Sequence, residues 1–375
     1  MIYILLTWLL APLWWPISLF CKWRCPQPQR ILIAEIAGIG DVVCSTAVFS
    51  AVRSRYPDAH IALMVDDIAA DLARAIPAVN QVIAFRAANQ RGLRGRLALM
   101  RQFMGFDTFV CLIPSAAQLT AACWAALPRR YSVLPDVAVR SYAWLLPLMT
   151  QTTAHQSGSN FVGTQLKLLA TLGIQGNPVN RELPVSEAAK VEAALLINNH
   201  HDWIGLAIGS GQGIKAIQPE VLKEVIRGLL SNPGRGVVLI GGEKEQGLAK
   251  ALIDDIAPNV RCINAVGRLS LDNLPGVLQK LSVFIGVDSG VTYMADALNV
   301  PLVYLPGPAS PADQGPLRAP RITLKKTLDC APCSRVFVTP NQCVANNHAC
   351  IDSFSASEIL EAVDTLLKGA LNGAD

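Results

Sequence analysis

One pattern runs through this chain twice: an apolar run short enough for a buried strand, a glycine-bearing turn, and a helical segment after it. Ile31-Leu32-Ile33-Ala34 leads into Ala37-Gly38-Ile39-Gly40-Asp41, and a helix is expected from Asp41 to about Arg55. His60 to Val65, Val82 to Phe85 and Thr108 to Ile113 read as further strands with helical segments between them. The polar, proline-bearing stretch Asn177 to Pro184 reads as a linker. The pattern then restarts. Trp203 to Ile208 ends in Gly209-Ser210-Gly211-Gln212-Gly213, Gly236 to Ile240 ends in Gly241-Gly242, and Leu281 to Val287 ends in Asp288-Ser289-Gly290. Helices are expected over Pro219–Leu230, Leu271–Leu281 and Val291–Leu298, and a strand over Val300–Leu305. Alternating strand and helix signals of this kind build parallel, doubly wound sheets. The expected fold is therefore α/β, with two Rossmann-like doubly wound domains whose facing carboxyl strand ends make a cleft.

A different signal precedes the first strand. Met1 to Phe20 carries no charged residue, a length sufficient to cross a bilayer. Pro12 and Pro16 interrupt it, and Trp8, Trp14, Trp15 and Trp23 favour an interfacial position, so a shallow or kinked insertion competes with a clean span. The alternative is a buried hydrophobic helix. A cleaved signal peptide fits poorly, because a basic leading region and a small-residue cleavage site are both missing. Lys22, Arg24 and Arg30 follow the segment, and the positive-inside tendency keeps the rest of the chain in the cytoplasm. The formal net charge of +4 over 375 residues argues against a dedicated nucleic-acid binder.

Four turns can carry chemistry. Asp288-Ser289-Gly290 joins a strand to a helix and aims backbone N–H groups and a helix N-terminus at one point, an arrangement that holds phosphate; Asp and Ser are also ordinary helix caps. The Gly209–Gly213 loop leads to Lys215, which suits a diphosphate but lacks the spacing of a Walker A motif; a mobile surface loop is the alternative. Glu245, after Gly241-Gly242, can accept from ribose hydroxyls or simply open a surface helix. Gly38-Ile39-Gly40 is an incomplete dinucleotide fingerprint, with Val43 where a third glycine belongs. Asp41 behind it projects from a strand's carboxyl end, or else complements a helix dipole.

Two clusters remain. Cys330-Ala331-Pro332-Cys333 with Cys343 and Cys350, and His348 nearby, can close a four-thiolate structural zinc site; reduced thiols are the alternative. Cys44, Cys111, Cys123 and Cys262 sit singly in apolar runs and read as reduced core thiols. Arg86, Arg91, Arg94, Arg96 and Arg101 form a basic run, either a solvated helix face or a surface for an anionic acceptor or headgroup.

Taken in order, these pieces resemble the ADP-heptose:lipopolysaccharide heptosyltransferase family of glycosyltransferases, which has a GT-B fold. The resemblance runs from Arg30 to about Gly369. It is carried by Ile39-Gly40-Asp41-Val42-Val43, Lys215 with Pro219-Glu220, Val238 to Gly242 and Gly267-Arg268-Leu269-Ser270-Leu271. Asp288-Ser289-Gly290 with Ala295, Val300-Pro301, Gly307-Pro308, Cys330 to Cys333 and Ser355 to Glu358 complete it. Together with the apolar start, the resemblance gives four expected parts: residues 1–25 a membrane anchor segment, 26–180 an acceptor domain, 181–350 a nucleotide-sugar donor domain and 351–375 a C-terminal helix.

It also implies an inverting transfer. Asp41 would be the general base, and Lys215, Asp288, Ser289 and Gly290 would meet the donor diphosphate. Glu245 would meet the ribose, and Leu269 would lie beside the adenine. No cofactor is implied for catalysis. The implied partners are ADP-heptose as default donor, a lipid-linked saccharide such as lipopolysaccharide core as acceptor, and the cytoplasmic face of the inner membrane; nucleic acid is not among them. The chain departs from the family pattern at Tyr293 (usually His), at Glu35 (usually Lys or Arg), at Gly38 (often Ser) and at Ile217 (usually Trp). Tyr293 stays a donor-side residue, while Glu35, Gly38, Arg91 and Arg94 are acceptor-side candidates. Three rivals stand beside this reading: a Rossmann oxidoreductase, a nucleotide-sugar-binding protein without transfer activity, and a zinc-dependent nucleic-acid binder.

Overall fold

The computed structural model describes residues 2–137, 142–197, 201–254, 256 and 261–372. The chain divides into two compact units, Met1–Asn180 and Arg181–Asp375. Among the described residues each unit holds one six-stranded parallel sheet. In the first unit the strands are β1 (Arg30–Glu35), β2 (His60–Asp66), β3 (Gln81–Phe85), β4 (Thr108–Cys111), β5 (Arg129–Leu134) and β6 (Gln151–Ala154), in the order β3-β2-β1-β4-β5-β6. In the second unit they are β7 (Asp202–Ala207), β8 (Arg235–Ile240), β9 (Cys262–Asn264), β10 (Val283–Val287), β11 (Leu302–Leu305) and β12 (Arg321–Thr323). Their order, β12-β11-β10-β7-β8-β9, is the same winding read from the other edge. Both are the 3-2-1-4-5-6 order of a doubly wound sheet, and in each the winding reverses beside the first strand. That reversal opens a crevice at the carboxyl ends of β1 and β4 in one sheet, and of β7 and β10 in the other.

Central strands are apolar on both faces because helices cover both. Ile31, Leu32, Ile33 and Ala34 of β1 are buried, as are Val283, Phe284, Ile285 and Val287 of β10. Three strands have no apolar run to announce them. β5 begins with Arg129 and Arg130, β6 reads Gln-Thr-Thr-Ala, and β12 reads Arg-Ile-Thr. Arg129 and Arg130 are nonetheless buried. Arg130 donates from Nε to the Leu148 carbonyl at 2.9 Å and from Nη1 to Ser18 Oγ at 3.0 Å.

The expected helix over Asp41–Arg55 is two helices, Ile39–Cys44 and Thr46–Arg55, meeting at Ser45. The expected Leu271–Leu281 helix is confined to Leu274–Gln279, where Pro275 sets its first turn. The helix Ala356–Asn372 lies in the core of the second unit, with Ile359 and Val363 fully buried.

The apolar start of the chain forms two helices, Ile2–Leu9 and Ala11–Arg24, bent by 63° at their junction. The cause is local: Pro12 lacks the N–H that would continue the first helix, and it is tolerated in the first turn of a new one. No single described helix is long and apolar enough to cross a membrane, although the bent pair passes that test together. One side of the pair belongs to the first unit's core. Ile4 and Trp14 are buried in it, Trp14 Nε1 donates to the Thr7 carbonyl at 3.1 Å, and Trp124 Nε1 donates to Thr7 Oγ1 at 2.9 Å. Ser18 Oγ donates to the Leu127 carbonyl at 3.1 Å, and the Arg130 guanidinium lies 5.1 Å from the Trp14 ring centre.

The second unit is fastened by a buried ion pair. Arg181 Nη1 meets Asp296 Oδ2 at 2.6 Å, and both side chains are wholly excluded from solvent. Asp296 also accepts from the backbone N–H groups of Leu317, Arg318 and Ala319 at 2.8–3.0 Å. Removing one partner of such a pair strands a buried charge, which typically costs about 3–5 kcal/mol. Asp296→Ala should lower unfolding stability by about that much, read as the shift in midpoint of a urea titration.

Candidate functional site

In the first unit the chain leaves β1 at Glu35 and turns through Gly38 into the helix Ile39–Cys44. Asp41 is the third residue of that helix. Its Oδ2 accepts from the Gly38 backbone N–H at 2.9 Å, which ties the carboxylate to the turn at the switch point of the sheet. Glu35 lies behind it, fully buried. Its Oε2 accepts from Ser45 Oγ at 3.0 Å and from Gln165 Nε2 at 3.3 Å, while Oε1 has no hydrogen-bond partner among the described residues. Burial, and secondly the charge of Asp41, push the Glu35 carboxyl well above its ordinary value, against the opposing pull of the Ser45 and Gln165 hydrogen bonds. Burial thus favours the protonated form of Glu35 behind the Asp41 carboxylate. Sequence reasoning missed Ser45 and Gln165. Ser45 is where the helix breaks, and Gln165 lies 130 residues from Glu35, so no local signal links them.

In the second unit four turns follow carboxyl strand ends. After β10, Asp288 Oδ2 receives Lys215 Nζ at 2.7 Å, with the two side chains only 13% and 12% exposed. Lys215 comes from the loop after β7, so this pair straddles the switch point of the sheet. Ser289 caps the helix Gly290–Ala297. Thr292 donates its hydroxyl to the Val287 carbonyl at 2.6 Å, so Ser289 Oγ is the donor in its 3.1 Å contact with Thr292 Oγ1. These bonds hold the turn so that the first N–H groups of the helix point out of it. Tyr293 does not face outward. It is buried, and its hydroxyl lies against Asp288 Oδ1 and, at 2.7 Å, the Gln314 carbonyl. The phenol therefore orients Asp288, which in turn orients Lys215.

Glu245, after β8, accepts from the Gly242 N–H at 2.8 Å and packs over Gly209, where a Cβ would stand 2.4 Å from its Cγ. Gly209 is required for that approach. Gly267 turns the chain after β9 with φ +66°, and Leu269 follows it, half-buried. Lys215, Glu245, Leu269 and Asp288 thus all follow carboxyl strand ends of one sheet.

The sequence profile of glycosyltransferase family 9 (heptosyltransferase) matches residues 106–343 of this chain. The chain belongs to this family. It is a glycosyltransferase. Over 309 residues, covering 77% of this chain and 86% of the relative, it is 26% identical to lipopolysaccharide heptosyltransferase 2 of Escherichia coli K12. Among solved structures it resembles a glycosyl transferase family 9 protein from Veillonella parvula, with TM-score 0.75 and 19% identity over 92% of this chain and 98% of that one. It also resembles E. coli ADP-heptose lps heptosyltransferase II, with TM-score 0.73 and 20% identity over 91% of this chain and 99% of that one. These likenesses show a GT-B fold.

Two of the departures from the family pattern have structural accounts. Ile217 is a core side chain of the second unit, and Tyr293 is a buried hydrogen-bonding prop. Of the acceptor-side candidates, Gly38 forms the turn that holds Asp41. Arg91 and Arg94 are exposed at the start of the helix Gly92–Phe103, beyond edge strand β3.

The expected four-thiolate metal site needs correction. Cys330, Cys333, Cys343 and Cys350 line one cavity together with His348 and Ile214. Among the described residues, however, no three His, Cys, Asp or Glu side chains lie close enough to hold a metal ion. Backbone N–H groups of His348 and Asn347 lower the ionisation value of the Cys343 thiol. Burial instead raises that of Cys350, to about 11.

The buried acid yields a pH test. Because the folded state holds the Glu35 proton more tightly than the unfolded chain, stability falls as pH rises from the ordinary carboxylate value of 4.5 toward the raised one. Glu35→Gln cannot ionise. It should match the wild type at acidic pH below the ordinary value and become the more stable protein as pH rises to neutrality. Denaturant midpoints across pH measure this; a gap independent of pH would assign the effect to packing.

Proposed function

We propose that this protein is an inverting heptosyltransferase. In this reading it moves heptose from ADP-heptose to a lipid-linked envelope saccharide such as lipopolysaccharide core, at the cytoplasmic face of the inner membrane, with its N-terminal segment at the bilayer. The observation that carries the reading is the placement of chemistry at the two switch points: a tethered carboxylate, Asp41, at one, and the Lys215–Asp288 pair beside a helix N-terminus at the other. The E. coli relatives named above supply the sugar and the acceptor class.

Asp41 takes the proton from an acceptor hydroxyl as that oxygen attacks the anomeric carbon opposite the diphosphate. The new glycosidic C–O bond forms while the bond from the anomeric carbon to the diphosphate oxygen breaks, and configuration inverts. The leaving nucleoside diphosphate keeps the electron pair. Lys215 and the N–H groups at Ser289–Gly290 stabilise its charge, so the transfer draws on the protein's own donors. Glu245 accepts from the ribose hydroxyls, and Leu269 packs beside the base. Tyr293 acts on the donor side through Asp288. Arg91 and Arg94 are available to anionic groups of the acceptor.

Asp41→Asn keeps the shape of the side chain and loses the base. With purified protein, ADP-heptose and extracted core lipid, kcat should fall about 10²- to 10⁴-fold while the donor KM changes little. Unchanged kcat would remove Asp41 from the chemistry. Lys215→Ala should weaken ADP binding about 10- to 100-fold, measured by calorimetry, through loss of a charge-assisted contact. Retained ADP affinity in that variant would place the diphosphate elsewhere.

A further inference from the structure

The N-terminal helix pair has two unlike sides. In Ala11–Arg24 the buried residues Trp14 and Ser18 and the half-buried Cys21 recur at i, i+4 and i+7, a single helical stripe turned toward the first unit. The opposite side carries Pro16, Leu19, Phe20 and Trp23, all exposed, with Trp23 79% exposed. In Ile2–Leu9, Ile4 and Thr7 face inward, while Ile2, Leu5 and Leu9 are 64–75% exposed. A contiguous apolar surface of this kind marks an interaction site.

Its surroundings indicate what covers it. Lys22 and Arg24 flank the apolar face of the longer helix on its two sides, and both are exposed. Arg24 lies over Phe20 at 5.9 Å. The helix Gly92–Phe103 is beside the shorter one, with Arg96 stacked on Tyr3 at 5.3 Å. That neighbour exposes Arg101 on the same unit. Trp8 donates from Nε1 to the Trp144 carbonyl at 2.9 Å, and Trp144 is itself 65% exposed. An apolar face bordered by tryptophan and by long cationic side chains matches the layered chemistry of an anionic membrane interface: hydrocarbon below, ring dipoles at the boundary, phosphate above.

We propose that the pair is a monotopic, in-plane anchor that immerses its outer face in one leaflet of an anionic phospholipid bilayer. This deepens the membrane placement in the proposed function and uses none of the transfer chemistry. A span is disfavoured on three grounds. Helices of 8 and 14 residues are about 12 and 21 Å long against a hydrocarbon core of about 30 Å. They diverge by 63°. Their inner side is bound to the folded unit through Trp14, Ser18, Trp124 and Arg130. Those contacts cannot persist inside hydrocarbon without dragging a soluble domain in with them.

The full chain should co-sediment with vesicles of phosphatidylcholine and phosphatidylglycerol, and on the order of tenfold less with phosphatidylcholine alone. Leu19→Glu with Trp23→Glu should abolish binding to either. Both positions are exposed, so the melting temperature should hold, and transfer to a soluble, delipidated acceptor should match the wild type. Lys22→Gln with Arg24→Gln should weaken binding only to the anionic vesicles. A tag fused ahead of Met1 should stay open to protease added outside sealed vesicles. The inference is overturned by absence of vesicle binding, by unchanged binding of Leu19→Glu with Trp23→Glu, or by protection of the tag, which a span would give. Self-association of the wild type that the same double variant dissolves would also overturn it, because a second copy would then cover the face. Vesicle binding without any sugar transfer would sink the transfer reading and leave this one standing; transfer without vesicle binding would do the reverse.

Discussion

Asp296 is the residue on which the second unit's site rests. Its carboxylate meets Nη1 of a fully buried guanidinium and a run of three backbone N–H groups at once. Those donors come from segments far apart in sequence, Arg181 and Leu317–Ala319, and they converge on the last turn of the helix that begins at Gly290. The helix cannot shift along its axis without breaking this set. Its other end is the Asp288-Ser289-Gly290 turn. A buried charge, costly to desolvate alone, becomes a fixed pivot once its hydrogen bonds are complete. The placement of the turn at one end of the helix is set by polar chemistry at the other.

The two units treat acidic side chains differently. In the second, Asp288 is ion-paired, braced by a tyrosine, and largely shielded from water. In the first, Glu35 is buried, and its burial and the nearby Asp41 push its carboxyl above the ordinary range. Behind Asp41, Glu35 is hydrogen-bonded through Ser45 and Gln165.

Much of this was legible in the sequence, for a physical reason. Strands buried on both faces must be continuous apolar runs, so β1, β2, β4, β7, β8, β10 and β11 announced themselves. β5 did not, because Arg129 and Arg130 are tolerated inside only by partners such as Leu148 and Ser18 that no local pattern reveals. The helix break at Ser45 was hidden likewise, since its hydroxyl bonds to a glutamate on a strand. Asp41, Lys215 and Asp288 stand at turns after strands as expected, because glycine turns at strand ends are local events. The inward turn of Tyr293 could not be picked out, because it depends on the Gln314 carbonyl. The four cysteines show the converse: closeness in sequence brought the thiols to one cavity, but among the described residues not to a metal-holding cluster. The apolar start of the chain was plain from composition, whereas the division of its faces required Trp14 and Ser18 to find Thr7 and Leu127.

The Lys215–Asp288 pair bears on how quickly such a site can empty. An ammonium held only by its ligand would tend to keep that ligand, because releasing it would leave a naked charge in a half-shielded crevice. Lys215 already has a carboxylate at 2.7 Å to return to. In the proposed reading, a diphosphate arriving there would displace Asp288, and one departing would hand the lysine back. The internal partner would then lower the net gain of binding and also the barrier to leaving, which favours turnover over tight retention of a spent nucleotide.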